Sequence, residues 1–391
     1  MKSDSHCKML LELFAVSLRL GLTSFGGPAA HIGYFRDEYV EKKKWLDEKE
    51  YADLVALCQF LPGPASSQVG MGIGIIRAGF TGGMVSFLGF TLPSAILLAF
   101  FAVFIGVINL ENAGWLHGLK LVAAAVVLHA VIGMGKSFSS SKATASMTVA
   151  ATVISLLWTS QISQIVIILL AAVFGLTFIN QPSREHGSSM KLPVSRKIGL
   201  ISLILFAVLL FFLPVIAEKT GFFYISMFDS FYRSGALVFG GGHVVLPLLE
   251  QETVPGLLDR ETFLAGYGAA QAVPGPLFTF ASYIGMAAAG WRGMMTSTLA
   301  IFLPAFLLIA GMLPFWNSIR QYSLAAKALT GVNAAVVGIL LAALIDPIVM
   351  TTMTNKGDIS FAAILYLLLA YWKAPPWGVV IIGITYGHLF F

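Results

Sequence analysis

The stretch RLGLTSFGG at residues 19–27 returns as RSGALVFGG at residues 233–241, 214 positions later. Both copies have an arginine, a glycine two residues on, and a Phe-Gly-Gly triplet. Beyond them the offset falls only to 210, as expected for a duplication with small insertions and deletions. The further matches are Leu46-Asp47 with Leu258-Asp259, Gln59-x-x-Pro62-Gly63-Pro64 with Gln271-x-x-Pro274-Gly275-Pro276, Gly79-x-x-Gly82 and Pro93 with Gly290-x-x-Gly293 and Pro304, and residues 124–127 with 334–337.

The composition is that of a protein whose solvent is a lipid bilayer. Of 391 residues, 57% are hydrophobic and only 11% are charged, and the mean hydropathy is +0.84. No water-soluble protein of this length has so apolar a surface. The net charge of +5 comes from Lys and Arg in short loops, with no basic stripe to bind nucleic acid. We predict an all-α polytopic protein of the cell membrane, with no nucleic-acid partner.

Motifs for metals, cofactors or catalysis are missing from the sequence. Cys7 and Cys58 are far apart and have no companion at a metal-ligand spacing. Gly135-Lys136-Ser137 resembles the end of a phosphate-binding loop, but Ala130 stands where that motif needs its first glycine. We therefore expect no metal, no cofactor and no enzyme activity.

One extended polar run, rich in Pro, Gly and Ser, occupies residues 181–197 and predicts a cytoplasmic linker. It follows a first repeat at residues 1–180. A helix at 198–224 has no counterpart in the repeat, and a second repeat occupies 225–391. Because the extra helix makes the number of crossings between equivalent elements odd, we predict two repeats of inverted topology.

Loop charges favour the same inversion. Segment 34–50 has five Lys and Arg residues, whereas its counterpart 249–261 has only Arg260. Cytoplasmic loops are enriched in Lys and Arg. We predict that the first segment faces the cytoplasm and the second faces the outside.

Helix-breaking residues interrupt the apolar runs 10–33 and 52–76 and their counterparts in the second half. Glycine permits unusual backbone angles, and proline removes a hydrogen-bond donor. At membrane depth such breaks occur only where they are buried in protein or line a water-filled cavity. We predict broken, re-entrant helices, with ordinary kinks in spanning helices as the alternative.

Broken helices are typical of anion sites in transporters. The N-terminus of a half-helix has unpaired N–H groups and a partial positive charge, and inverted copies aim such ends at a common point near the midplane. An arginine in an apolar run normally pairs, snorkels or serves function, and the guanidinium groups of Arg19 and Arg233 suit a tetrahedral oxyanion. The candidate substrate-binding residues are Arg19, Phe25, Gly26, Gly27, Gln59, Pro62, Gly63, Pro64, Ser67, Arg233, Phe239, Gly240, Gly241, Gln271, Pro274, Gly275, Pro276 and Thr279. His31 and His243 are candidate gates, with satisfied core histidines as the alternative.

The doubled Phe-Gly-Gly, the Gln-x-x-Pro-Gly-Pro motif and the Gly and Pro positions after it resemble the chromate transporter family, in its long two-domain form. The resemblance covers about residues 10–130 and 225–340. It implies a secondary transporter that exports chromate across the cytoplasmic membrane and confers chromate resistance, with sulfate as a structural analogue. Gly242 departs from the repeat, since the first copy has Pro28 there.

Other functions stay open at this point. The closest is a permease or exchanger for sulfate or another oxyanion. An anion channel is less favoured, because inverted broken helices are typical of alternating access, and an intramembrane chromate reductase would need a redox cofactor. The expected partners are the oxyanion and the bilayer, with a homodimer as a further hypothesis. The run Gly70-x-Gly72-x-Gly74 allows close helix packing, and the sequence does not distinguish packing between subunits from packing within one.

Overall fold

The structure, a computed structural model, describes residues 2–107, 114–158, 161–179, 195–239, 242–316 and 323–390, and all regular elements in these ranges are helical. The prediction of an all-α protein is confirmed. Most of the predicted linker, residues 181–194, lies outside the described residues. The α-helices are α1 (Lys2–Thr23), α2 (Gly27–Arg36), α3 (Glu48–Phe60), α4 (Ala65–Val107), α5 (Gly114–Phe138), α6 (Lys142–Leu157), α7 (Gln161–Phe178), α8 (Arg196–Thr220), α9 (Phe223–Leu237), α10 (Val245–Thr253), α11 (Arg260–Ala270), α12 (Phe280–Met312), α13 (Ser323–Ala343), α14 (Lys356–Ala370) and α15 (Pro376–Phe390).

Five helical segments among these residues are long and apolar enough to cross a bilayer: Ala65–Val107, Gly114–Phe138, Arg196–Thr220, Leu277–Phe315 and Ala326–Thr352. The third of them, α8, has only 11% of its most apolar window buried inside the protein. Its Leu, Ile and Phe side chains therefore face outwards, as on a helix that contacts lipid. These segments bear out the prediction of a multi-pass membrane protein.

Helix α4 consists of two antiparallel helices joined by a sharp reversal. Ala78 and Gly79 leave the helical region, and Gly79 has a φ of +67° that favours glycine. Beyond the reversal, the Ser86 hydroxyl donates a hydrogen bond of 2.8 Å to the carbonyl of Gly70. The chain therefore runs back along the helix it has just left.

Helix α12 repeats this geometry at an offset of 211. Ala289 and Gly290 have nearly the same backbone angles as their counterparts in α4. The Ser297 hydroxyl donates to the carbonyl of Ala281 at 2.7 Å. Each half of the chain thus contains one hairpin of the same construction.

The two halves are interlocked. Helices α4 and α12 pack together, α1 packs on α4, and α9 packs on α12. On the outside, α13 of the second half packs against α6 and α7 of the first, while α5 of the first packs against α14 and α15 of the second. The hydroxyls of Thr148 and Thr152 donate to the carbonyls of Ala334 and Gly338, at 2.8 and 3.1 Å. The halves that the repeat defines in the sequence are therefore not separate bodies in space.

The repeated Leu-Asp pair marks the start of a helix in each half. Asp47 accepts a hydrogen bond of 2.8 Å from the backbone N–H of Glu50 and caps α3. Asp259 accepts one of 2.8 Å from the N–H of Thr262 and caps α11. These caps begin the helices that lead into the second break of each half.

Gly74→Ala tests the tight hairpin of α4. A Cβ added to Gly74 would lie 2.3 Å from the Gly82 carbonyl oxygen, in fixed backbone. We expect a loss of about 1–3 kcal/mol, because overpacking must push the two helices apart. The measurement is the apparent unfolding temperature of the purified protein in detergent.

Gly133→Ala in α5 is the matched control, since a Cβ there meets nothing within 4 Å. It should leave the unfolding temperature unchanged or raise it slightly. Equal unfolding temperatures for the two variants would contradict the close contact in α4.

Candidate functional site

The first break lies between α1 and α2. Gly26 and Gly27 have φ values of +97° and +78°, which non-glycine residues rarely adopt. Pro28 follows in the first turn of α2, and no side chain caps that helix. The amino terminus of α2 therefore carries N–H groups that its own side chains do not satisfy.

The second break separates α3 from α4. Gly63 has a φ of +113°, and the Gln68 amide donates to the carbonyl of Pro62 at 2.8 Å. In the second half, Gly275 has a similar φ of +100°. The predicted breaks in the two apolar runs of the first half are thus present, and the Pro-Gly-Pro break recurs in the second.

Each Pro-Gly-Pro break contacts the residue just before the Phe-Gly-Gly motif of the other half. The N–H of Gly63 donates to the carbonyl of Val238 at 2.7 Å, and the N–H of Gly275 donates to the carbonyl of Ser24 at 2.9 Å. Ser24 and Val238 are equivalent at the offset of 214. The contact between the halves is therefore reciprocal, as in an interface around a two-fold axis.

The position at which the repeat departs from itself lies at this same contact. A Cβ added to Gly242 would lie 3.5 Å from Cγ of Pro28, its equivalent in the first copy. The two equivalent positions therefore face each other. Phe239 is half-buried beside them, whereas Gly240 and Gly241 lie outside the described residues.

Several buried polar atoms around the breaks have no hydrogen-bond partner among the described residues. They are Ser24 Oγ, Ser67 Oγ, Gln68 Oε1, Thr91 Oγ1 and Gln271 Nε2. Leaving such a group unpaired costs about 1–3 kcal/mol, and buried polar groups normally bind protein, water or a ligand. All except the Gln68 oxygen can donate a hydrogen bond, which is the kind of group that binds an anion.

Arg19 forms an ion pair with the buried carboxylate of Glu38, although its own side chain is 56% exposed. Lys42 lies 3.7 Å from the same carboxylate. Glu38 is in the π-helical turn that continues α2, so the ion pair ties the two sides of the first break together.

Arg233 forms the corresponding pair in the second half. Its guanidinium donates to both oxygens of Glu252, at 2.8 and 3.1 Å, and to Asp229 at 3.0 Å. Glu38 and Glu252 each stand 19 residues after their arginine. Our reading of the sequence missed this partner, although the carboxylate repeats at the same offset of 214 and could have been found there.

Both candidate histidines lie next to a break. His31 is buried, with Nδ1 3.3 Å from the Ser66 hydroxyl and Nε2 3.1 Å from the carbonyl of Ser24. Nδ1 of His243 lies 2.9 Å from the Tyr267 hydroxyl. His31 therefore links the end of the first helix to the start of α4, and His243 contacts α11. A gating role stays a prediction.

The remaining predicted residues differ in burial. Ser67 is buried in the first turn of α4, and Thr279 is buried and donates to the carbonyl of Pro276 at 2.6 Å. Gln59 is exposed, whereas Gln271 is half-buried. The two glutamines that match in the sequence therefore have different surroundings.

These features define a multi-pass membrane protein with paired broken helices, the architecture of secondary transporters. The family model for chromate transporters matches residues 11–176 and 225–388. The chain belongs to the chromate transporter family.

Relatives match almost the whole chain. An uncharacterized transporter of Methanocaldococcus jannaschii is 26% identical over 97% of this chain and 94% of its own. A chromate transport protein of Pseudomonas aeruginosa is 29% identical over 93% and 87%. A probable chromate transport protein of Synechococcus elongatus is 27% identical over 93% and 90%. No solved structure matches the chain.

Glu252→Gln tests the ion pair of the second half. The variant removes one charge that compensates Arg233, whose side chain is only 20% exposed. We expect a loss of about 1–3 kcal/mol, because a charged hydrogen-bond partner is replaced by a neutral one while Asp229 still pairs with Arg233. The measurement is again the apparent unfolding temperature in detergent.

Glu48→Gln is the control, because its partner Arg36 is on the surface. It should not change the unfolding temperature measurably. If Glu252→Gln also left the unfolding temperature unchanged, the pair of Arg233 and Glu252 would not stabilise the structure around the break.

Proposed function

We propose that the protein exports chromate across the cytoplasmic membrane by alternating access, and so confers resistance to it. The support is the family membership, together with relatives of Pseudomonas and Synechococcus that are named for chromate transport. A permease or exchanger for sulfate or another oxyanion is the alternative, because sulfate has the same charge and shape.

The observation that carries this proposal is the set of unpartnered donors around the reciprocal breaks. An oxyanion placed there would accept hydrogen bonds from Ser67, Thr91 and Gln271, and from the free N–H groups at the start of a half-helix. Neutral donors hold a dianion while leaving it free to depart. In this proposal Arg19 and Arg233 position the breaks through their ion pairs, and direct contact of either guanidinium with the anion stays a prediction.

The reciprocal breaks also support alternating access. A site shared by two inverted halves opens to either side when one half rocks against the other. The glycine contacts make each hairpin a stiff unit, so the broken segments are the natural places for the backbone to bend.

The membrane potential can drive this transport without a second substrate. One charge gains about 2.3 kcal/mol per 100 mV, so a dianion that leaves a negative interior gains about 4.6 kcal/mol. Uptake of the same ion would need coupled cations.

Radiolabelled chromate flux in proteoliposomes tests the function. Loaded vesicles with a negative interior should release chromate faster than vesicles without a potential, and excess internal sulfate should slow the release if both ions share the site. A flux that ignores the potential would argue for electroneutral exchange. A sulfate flux far above the chromate flux would support the alternative.

Ser67→Ala tests the donors. Its hydroxyl is buried and has no partner in the described part of the chain, so its removal should not lower stability. A hydrogen bond to a charged ligand contributes about 1.5–3 kcal/mol. We therefore expect the half-saturating chromate concentration to rise roughly tenfold or more.

Ser202→Ala is the matched control, since that hydroxyl is buried on α8 and donates to the carbonyl of Ile198. It should leave the half-saturating concentration unchanged. If Ser67→Ala behaves like this control, the anion is bound elsewhere.

A further inference from the structure

A cavity of about 300 Å³ lies where α6 and α7 of the first half meet α10, α11 and α13 of the second. None of the unpartnered donors around the breaks lines it. Its polar lining consists of Ser155, Gln164, Glu250, Gln251, Arg260 and Asp346. The proposed function uses none of these side chains.

Gln164 points to a ligand in this cavity. Its side chain is 1% exposed, and neither Oε1 nor Nε2 has a hydrogen-bond partner in the part of the chain that the structure describes. A buried amide with both ends unpaired is unfavourable unless something else binds it. The cavity that Gln164 lines has room for an ion with several waters.

The charged side chains that line the cavity favour a cation over an anion. Two carboxylates, of Glu250 and Asp346, stand against the single guanidinium of Arg260. Nε of Arg260 lies 3.2 Å from Glu250, whose side chain is 8% exposed, whereas Asp346 is exposed. One negative charge is therefore left over, and the oxygen atoms of carboxylate, amide and water are the ligands that hard cations prefer.

The first half has the opposite charges at the equivalent positions. Arg36, Glu48 and Lys136 stand where the second half has Glu250, Arg260 and Asp346, at offsets of 214, 212 and 210. Arg36 and Glu48 also form an ion pair, so the pair is kept and its charges are exchanged. The negative charge of the cavity is thus not a requirement of the fold.

We propose that this cavity binds one partly hydrated monovalent cation, Na⁺, through Gln164 Oε1 and the carboxylates of Glu250 and Asp346. The site is distinct from the oxyanion site and does not depend on which anion is carried. Helix α10 links the two, since it holds both Glu250 and Glu252, the partner of Arg233. Cation binding is thereby connected to the ion pair of Arg233, which flanks the Phe-Gly-Gly motif of the second half.

Binding of ²²Na⁺ to the purified full-length protein tests the site. The assay is scintillation proximity in detergent, without any oxyanion, and with N-methyl-D-glucamine chloride to keep the ionic strength constant. We expect saturable binding of one ion per chain. Asp346→Asn and Gln164→Leu should each weaken it at least tenfold, with both variants checked for a monodisperse elution profile.

Glu261→Gln is the matched control. It removes one carboxylate from the same helix as Arg260, but its side chain is 82% exposed and does not line the cavity. Binding in this variant should equal that of the wild type.

Absence of saturable ²²Na⁺ binding to the wild type would overturn the proposal, and so would unchanged binding in both cavity variants. A chromate flux that depends on pH, together with no Na⁺ binding, would also overturn it, because the ligand of the cavity would then be a proton. Chromate flux is measured separately. Chromate flux without Na⁺ binding would refute only the cation site. Na⁺ binding without chromate flux would refute only the proposed function.

Discussion

The structure depends on two reciprocal hydrogen bonds, from Gly63 to Val238 and from Gly275 to Ser24. Each broken helix leaves backbone groups that it cannot satisfy itself, and water is scarce in the apolar interior that surrounds them. Pairing across the halves satisfies a donor of one break with an acceptor of the other. A Cβ on Gly275 would lie only 2.8 Å from Ser94, which explains a glycine at this contact. Separating the halves would expose all four groups to an apolar environment.

The outer helices make separation harder still. Because α5 and α13 each pack against the last two helices of the opposite half, neither half is covered by its own chain alone. A transport motion must keep these contacts and the central hydrogen bonds. The hairpins of α4 and α12 have backbones in direct contact and resist bending. In the alternating access that we propose, we therefore expect movement in the short half-helices α2 and α10. Glu252, the partner of Arg233, is on α10, and Glu38, the partner of Arg19, is in the π-helical turn that follows α2.

Repetition made much of this fold predictable. Helix breaks at Gly26 and Gly63 followed from glycine and proline inside apolar runs, and both are present. The repeated Leu-Asp was visible as a match, but its role as a helix cap needed the backbone. The reversals at Gly79 and Gly290 were marked by matching glycines, although composition alone does not distinguish a reversal from a kink. The packing of the outer helices of each half against the other half was not predictable, because it depends on contacts between segments far apart in the sequence, which no local pattern encodes. The sequence also did not reveal the buried hydroxyls as a group, because burial decides which serines matter.

The charged residues beside the helix breaks are the same in both halves, whereas those at the equivalent positions farther from the breaks have opposite signs. Both halves keep the same arginine–carboxylate pair beside the break, because that pair serves the fold and the fold is repeated. At the ends the charges are reversed, from Arg36 and Lys136 in the first half to Glu250 and Asp346 in the second. In the orientation that we propose, the three positions Arg36, Glu48 and Lys136 give one net positive charge on the cytoplasmic side. Their counterparts Glu250, Arg260 and Asp346 give one net negative charge on the other side. Such charges change how fast a dianion enters and leaves the site, whereas the membrane potential and the concentration gradient set the direction of net transport.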